Sequence, residues 1–243
     1  MAVKTVHYKG VSFSIGYEIL NPNLSPDVIF LHGWGSNKNL MKQAFSKTLS
    51  SFRHIYIDMP GFGASNCDIS LETTDYAAIM ELFLEEIGAH KNVILGHSFG
   101  GKVATLLNPE LLVLVASAGI LVPKSLKIRM KIALFKLLKF TGLTSLRSFF
   151  VAPDAQGMSE VMYQTFKNVV NEDFTDYFKA FKNKALLCFG KKDTATPLWT
   201  GEVMQTHLTD SRLVAYEGDH YFLLHDGASI AHEIEKSIYK KEE

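Results

Sequence analysis

The sequence predicts an α/β fold, a mostly parallel sheet with helices on both faces. Three observations lead there. Short runs that are apolar throughout, such as Val28–Leu31 and Val93–Leu95, alternate with runs whose apolar residues recur at helical spacing, such as Leu40–Leu49. Loops rich in glycine follow the apolar runs. The 243 residues, 47% hydrophobic and 21% charged, suffice for one domain with a sizeable core that also carries an insertion.

Val3–Tyr8 and Val11–Glu18 flank Lys9-Gly10 and read as an N-terminal antiparallel hairpin. Pro22 and Pro26 close that section. Val28–Leu31 has the pattern of a strand buried on both faces and ends in His32-Gly33-Trp34-Gly35. The helical run Leu40–Leu49 places Leu40, Met41, Ala44, Phe45 and Leu49 on one side. His54–Ile57 is the next strand, followed by Asp58-Met59-Pro60-Gly61-Phe62-Gly63-Ala64-Ser65. Thr74 or Asp75 can cap a helix to about Ile87, with Ala78, Leu82 and Ile87 among its inward positions. Val93–Leu95, a short helical run over Lys102–Leu107 and Leu111–Val115 continue the alternation. It resumes with Ala185–Phe189, a loop bearing Asp193, a helix over Trp199–His207, Leu213–Tyr216, a loop bearing His220 and a last helix from about Ala228.

Residues 123–182 break the pattern. The core is therefore assigned to 1–122 and 183–243, and 123–182 is read as a helical lid insertion. Between Glu110 and Asp154 the chain has no acidic residue but carries basic residues from Lys124 to Arg147, interleaved with apolar ones. A solvated helix face explains the basic side better than a membrane-surface helix. Leu134, Phe135 and Leu138 are expected to line a substrate pocket and to favour a small, mainly hydrophobic molecule.

Composition excludes several classes of function. Formal net charge is zero, so nothing points to nucleic acid. No apolar run reaches the roughly 18 residues of a membrane span, so stable membrane insertion is not expected. Neither C-x-x-C nor H-E-x-x-H occurs, so no metal and no cofactor are expected. Cys67 and Cys188 lie far apart, and Cys188 reads as a small buried hydrophobe. The absence of a secretory leader at Met1–Gly10 makes a cytoplasmic protein the expectation. A homodimer is compatible with the sequence.

The chemistry centres on Gly96-His97-Ser98-Phe99-Gly100. A serine on a tight strand-to-helix turn is thrust clear of the sheet, and residues two positions away must lack side chains. The plain alternative is a Gly/Ser turn without chemistry. A serine nucleophile needs a base, usually histidine. Of nine histidines, His220 follows a strand near the carboxy end, after an Asp-bearing loop. His207 and His232 fall on helices; His225 is a nearer competitor. Asp193 is the acid candidate, with a turn or cap role as its alternative. Asp219 is the rival, but adjacency to His220 makes a bond to the ring awkward. Backbone N–H groups of Phe99 and Trp34 are the expected oxyanion donors. His32 is expected to order the loop after it, and His32, Gly33 and His97 to stand at the pocket, with His97 as wall or core.

These landmarks, taken in order, resemble the α/β-hydrolase superfamily over nearly the whole chain. They are His32-Gly33-Trp34-Gly35, Asp58 to Ser65, Gly96 to Gly101, Gly190-Lys191-Lys192-Asp193 and Gly218-Asp219-His220. The chain looks closest to bacterial carboxylesterases and to hydrolases of meta-cleavage products, which cut a carbon–carbon bond in 2-hydroxy-6-oxo-dienoates with the same triad. The resemblance implies a Ser98–Asp193–His220 triad and hydrolysis of a small carboxylic ester through an acyl-enzyme, with carbon–carbon hydrolysis as the alternative. A non-enzymatic binding protein is the reading from another class, and the full set of triad candidates argues against it. Three features depart from the family pattern. Asp219 stands where glycine is usual, the helix after the elbow ends by Asn108-Pro109, and Tyr221 replaces a tryptophan common in meta-cleavage hydrolases. The serine itself argues against haloalkane dehalogenases and epoxide hydrolases, which use aspartate there.

Overall fold

A computed structural model describes residues 2–122 and 158–239. The strands are β1 (Ala2–Tyr8), β2 (Val11–Leu20), β3 (Asp27–Leu31), β4 (Arg53–Ile57), β5 (Val93–His97), β6 (Leu111–Val115), β7 (Lys184–Gly190) and β8 (Asp210–Tyr216). They form one eight-stranded sheet in the order β1-β2-β4-β3-β5-β6-β7-β8. β1 pairs antiparallel with β2, and β2 antiparallel with β4. Every other neighbouring pair is parallel. The expected sheet with its antiparallel hairpin is therefore present.

The described helices are α1 (Lys38–Phe45), α2 (Thr73–Glu86), α3 (Phe99–Leu107), α4 (Glu160–Val169), α5 (Thr175–Ala180), α6 (Leu198–His207) and α7 (Leu223–Tyr239). The two-residue period of the strands sorts them into two cores. Ile29, Leu31, Ile94, Leu112 and Leu187 pack with Tyr76 and Phe83 of α2, Val103 of α3 and Met204 of α6. Val28, Phe30, Leu95, Val113 and Cys188 pack on the other face with Met41 and Phe45 of α1 and Ile230 and Ile234 of α7. Strands buried on both faces account for the apolar runs.

Several boundaries differ from the sequence reading. α1 ends at Phe45, and Leu49 is a turn residue at φ 47° that stays buried. α2 starts at Thr73, because the Asp75 carboxylate accepts the N–H of Glu72 at 2.8 Å and so fastens the first turn. Its buried stripe is Tyr76, Ala77, Ile79, Met80, Phe83 and Leu84; Ala78, Leu82 and Ile87 are only half-buried. α3 begins at Phe99, three residues before the expected start. α7 begins at Leu223, five residues before Ala228. Gly227 lies where α7 crosses α1: a Cβ there would lie 2.2 Å from the Ala44 carbonyl oxygen. Within the insertion, α4 and α5 form the described return to the sheet, while Leu134, Phe135 and Leu138 lie outside the described residues.

Helix propensity alone favours Gly227→Ala by about 0.8–1.0 kcal/mol. The close crossing opposes it, and the expected net effect is destabilisation by about 1–3 kcal/mol from overpacking. Urea unfolding of the two proteins measures the sign.

Candidate active site

β5 sits near the middle of the sheet, between β3 and β6, and its carboxyl end carries the elbow. Ser98 has φ 52° and ψ −116°, a conformation that costs a non-glycine residue about 1–3 kcal/mol. Neighbouring backbone holds it there. Ser98 N–H donates to the Val115 carbonyl at 3.1 Å, and its own carbonyl accepts from Gly101 and Ala118, each at 3.1 Å. The flanking glycines are steric necessities. A Cβ on Gly96 would lie 2.3 Å from the Gly100 oxygen, and one on Gly100 would lie 2.5 Å from the Leu31 oxygen. Gly33 packs less tightly from the neighbouring loop, where a Cβ would meet His97 Nδ1 at 3.0 Å and Ser98 Cβ at 3.1 Å.

Asp193 and His220, from the loops after β7 and β8, meet directly. His220 Nδ1 is 2.7 Å from Asp193 Oδ2, and the Asp193 side chain is fully buried. The carboxylate's other oxygen accepts the N–H groups of Ala195 at 2.8 Å and Thr196 at 3.0 Å. Burial alone raises an acid's pKa, but here the His220 bond and the Thr196 donors outweigh it. Asp193 is held below the usual carboxylate range. With Nδ1 facing Asp193, Nε2 is left on the far edge of the ring. The Ser98 hydroxyl makes no hydrogen bond to that nitrogen among the described residues. The Ser98 segment reaches His220 through His97. The two imidazoles stand 4.8 Å apart, and His97 Nε2–H donates to the His220 carbonyl at 3.0 Å.

His32 and His97 lie beneath the site as buried framework, not on an open wall. His32 Nδ1–H donates to the Gly33 carbonyl at 2.8 Å, while Nε2 accepts the Met59 N–H at 3.0 Å. These bonds fix the turn that carries Trp34 and join it to the loop after β4. Burial lowers the His32 pKa to about 4. Burial, then the charge His220 would carry, lowers His97 to about 3. Both rings are neutral near pH 7. Nδ1 of His97 is buried without a partner among the described residues.

Phe99 opens α3, so its N–H has no helical carbonyl to bond. The Trp34 N–H takes no backbone partner among the described residues. The Trp34 ring packs edge-on against Phe62 at 4.9 Å and Phe99 at 5.6 Å, and leans on Phe166 of α4 at 5.4 Å. The rival residues have other surroundings. Asp219 accepts the Tyr221 N–H at 2.9 Å as a turn former. His225 and His232 are exposed and His207 is half-buried.

Two features escaped the sequence reading. Asp58, at the end of β4, is fully buried and takes Lys38 Nζ at 2.5 Å, Lys38 N–H at 2.7 Å and Ala64 N–H at 3.0 Å. It braces the loops after β3 and β4 against each other. Its signal was a charged residue directly after an apolar strand. Thr196 is the second, its hydroxyl lying 2.8 Å from Asp193 Oδ2. Among the described residues no group of three or more His, Cys, Asp or Glu side chains gathers where it could hold a metal ion.

The model of the alpha/beta hydrolase family matches residues 28–233. The chain belongs to the α/β-hydrolase family. Pimeloyl-[acyl-carrier protein] methyl ester esterase of Vibrio campbellii is 39% identical to this hydrolase-family chain over 80 residues, 33% of this chain and 30% of that one. The chain thus spans about a third of the length of the curated relatives it matches. An esterase from Exiguobacterium antarcticum superposes with TM-score 0.74 at 22% identity, covering 94% of this chain and 96% of that one. The enol-lactonase of Burkholderia xenovorans LB400 superposes with TM-score 0.73 at 16% identity, covering 98% and 100%. At these identities the likeness is one of fold. Among the described residues no helix is long and apolar enough to cross a membrane.

The buried imidazoles make acid stability predictable. In the unfolded chain both rings titrate near 6.5, but in the folded protein only near 4 for His32 and 3 for His97. Between those values the unfolded state binds more protons, so stability falls as pH drops below 6.5. The expected slope is about 1.4 kcal/mol per pH unit for each ring down to about pH 4. Urea midpoints at pH 7 and pH 5 measure it, and His32→Asn is expected to lose its share of the slope.

Proposed function

We propose that this chain is a serine hydrolase that cleaves a small carboxylic ester through an acyl-enzyme. The observation that carries the reading is the 2.7 Å bond between His220 and the buried Asp193 carboxylate, together with a serine held at positive φ at a helix start. In this mechanism His220 Nε2 takes the proton as Ser98 Oγ attacks the ester carbonyl. Asp193 orients the ring and stabilises the imidazolium through Nδ1–H. The N–H groups of Trp34 and Phe99 hold the oxyanion of the tetrahedral intermediate. Collapse expels the alcohol, which leaves with the proton from His220. Water, deprotonated by His220, then attacks the acyl-enzyme and releases the acid. A hydrogen bond absent at rest between Ser98 and His220 is compatible with this chemistry, since such bonds tighten in the substrate complex.

An oxygen ester is favoured over the carbon–carbon bond of a dienoate. A partial relative is a methyl ester esterase, and structural neighbours include an esterase and an enol-lactonase. Tyr221, where a tryptophan would support the carbon–carbon reaction, points the same way. The substrate is taken to be small and mainly hydrophobic, with the aromatic group of Trp34, Phe62, Phe99 and Phe166 as apolar surface beside the serine.

A fluorophosphonate probe is expected to label Ser98, and short p-nitrophenyl esters to be turned over. Ser98→Ala is expected to lower kcat/KM by about ten-thousand-fold or more. Full turnover by purified Ser98→Ala sinks the reading, whereas a dienoate consumed faster than esters replaces it with carbon–carbon hydrolysis.

A further inference from the structure

We propose that Thr196 is a positioning residue of the acid–base pair, its hydroxyl controlling how much of the Asp193 carboxylate charge is directed at His220. The inference rests on the reading of His220 as general base. Thr196 Oγ1 lies 2.8 Å from Asp193 Oδ2, 2.9 Å from the Ala116 carbonyl oxygen and 3.3 Å from His220 Nδ1. A hydroxyl has one proton, so it donates to the carboxylate or to the carbonyl, not to both at full strength. Oδ2 is the same oxygen that accepts the His220 Nδ1–H. A second donor on that oxygen draws off charge that would otherwise stabilise the imidazolium.

The geometry gives this hydroxyl its leverage. Thr196 is buried, and its N–H is anchored on the other carboxylate oxygen at 3.0 Å. Its second acceptor belongs to the loop behind the serine: Ala116 sits at φ 46°, and two residues on Ala118 N–H donates to the Ser98 carbonyl. One side chain thus links the acid's loop to the nucleophile's backbone. The groups around His220 are few. His97 faces the ring and is neutral near pH 7. Tyr221 stands edge-on at 5.5 Å, and Asp219 is turned to the Tyr221 N–H. Lys191 and Glu217 pair with each other at the exposed side. Among the described residues, Asp193 is the charged group bonded to the ring, and Thr196 is the other side chain that donates to Asp193.

The test is the pH dependence of kcat/KM on a short p-nitrophenyl ester. Thr196→Val keeps the shape and removes the donor. The carboxylate then holds the imidazolium more strongly, and the acid limb is expected to move up by about half a pH unit. Thr196→Ser keeps the hydroxyl and is expected to return the limb to the wild-type position. A packing defect alone lowers the plateau without moving the limb. An unmoved limb in a folded Thr196→Val, or a serine variant displaced like valine, overturns the inference. Should valine not fold, Thr196→Ala carries the same expectation. If neither folds, Thr196→Ser decides: a limb displaced from wild type overturns the inference, and a coincident one supports it. Turnover surviving in Ser98→Ala overturns the triad reading together with this inference. An inactive Ser98→Ala beside an unmoved Thr196→Val limb overturns the inference alone.

Discussion

The rest of the site depends on a crossing of backbones at the end of β5. There the chain reverses through Ser98 and starts α3 against the ends of β3 and its loop, with no room for a single extra carbon at Gly96 or Gly100. The strain of a positive-φ serine is offset by three backbone hydrogen bonds from the β6 side and the first turn of α3. Because β5 is central, the loops after β3 and β6 flank the serine, and those after β7 and β8 bring up the acid and the histidine. A serine on an edge strand would lack half of these neighbours. Position in the strand order, more than the motif itself, makes convergence geometrically available.

The polar groups beneath the serine follow from the same crowding. Space this tight excludes water, so each buried polar atom must find a protein partner or remain unbonded. His32 finds partners for both ring nitrogens and His97 for Nε2 alone, as neutral rings of opposite tautomer, the first donating through Nδ1 and the second through Nε2. Their neutrality has an electrostatic consequence. A second fixed charge within a few ångströms would compete with Asp193 for control of His220, and burial keeps both imidazoles out of that contest. The other nearby charge, Asp58, is neutralised by Lys38 and by two backbone N–H groups. Among the described residues, Nδ1 of His97 and Nε1 of Trp34 are the buried atoms of this region left without a partner.

The parts legible in the sequence are those where one local rule dominates. Buried strands announce themselves as unbroken apolar runs, and the elbow by its glycines. The loop positions of Asp193 and His220 follow from counting strands, which is why the 2.7 Å contact between them came from residues 27 positions apart. What stayed hidden depends on partners distant in sequence. Gly227 looks like a weak point in a helix until α1 is placed against it. The buried stripe of α2 was misplaced because that helix is apolar on more than one side, so periodicity alone does not choose between neighbouring faces. Thr196 and Lys38 carry no pattern of their own. Lys38 acquires meaning only when the chain returns to put Asp58 beside it, and Thr196, three residues from Asp193, only when Ala116 and His220 are brought to its hydroxyl.

The return limb of the insertion is tied to the helix that begins at the serine. Lys102, near the start of α3, is buried and donates to the Val169 carbonyl at the end of α4 at 2.8 Å and to the Glu172 carbonyl at 3.0 Å. Its ammonium also lies over the Phe174 ring at 5.1 Å. A cation at the carbonyl end of α4 is well placed with respect to the helix dipole, but burial still lowers its pKa to about 8. Met162 closes over Gly61, Thr73 bonds the Glu172 carboxylate, and Phe166 leans on Trp34. The limb therefore has fixed contacts to α3, to the loop after β4, to α2 and to the turn that carries Trp34. Any displacement of α4 would expose an unpaired ammonium and leave two carbonyls without a donor, each a cost that apolar contacts alone would not impose. The same helix thus starts at the candidate nucleophile and, one turn later, fastens the base of the insertion, so that the wall beside the serine is set by the element that presents it.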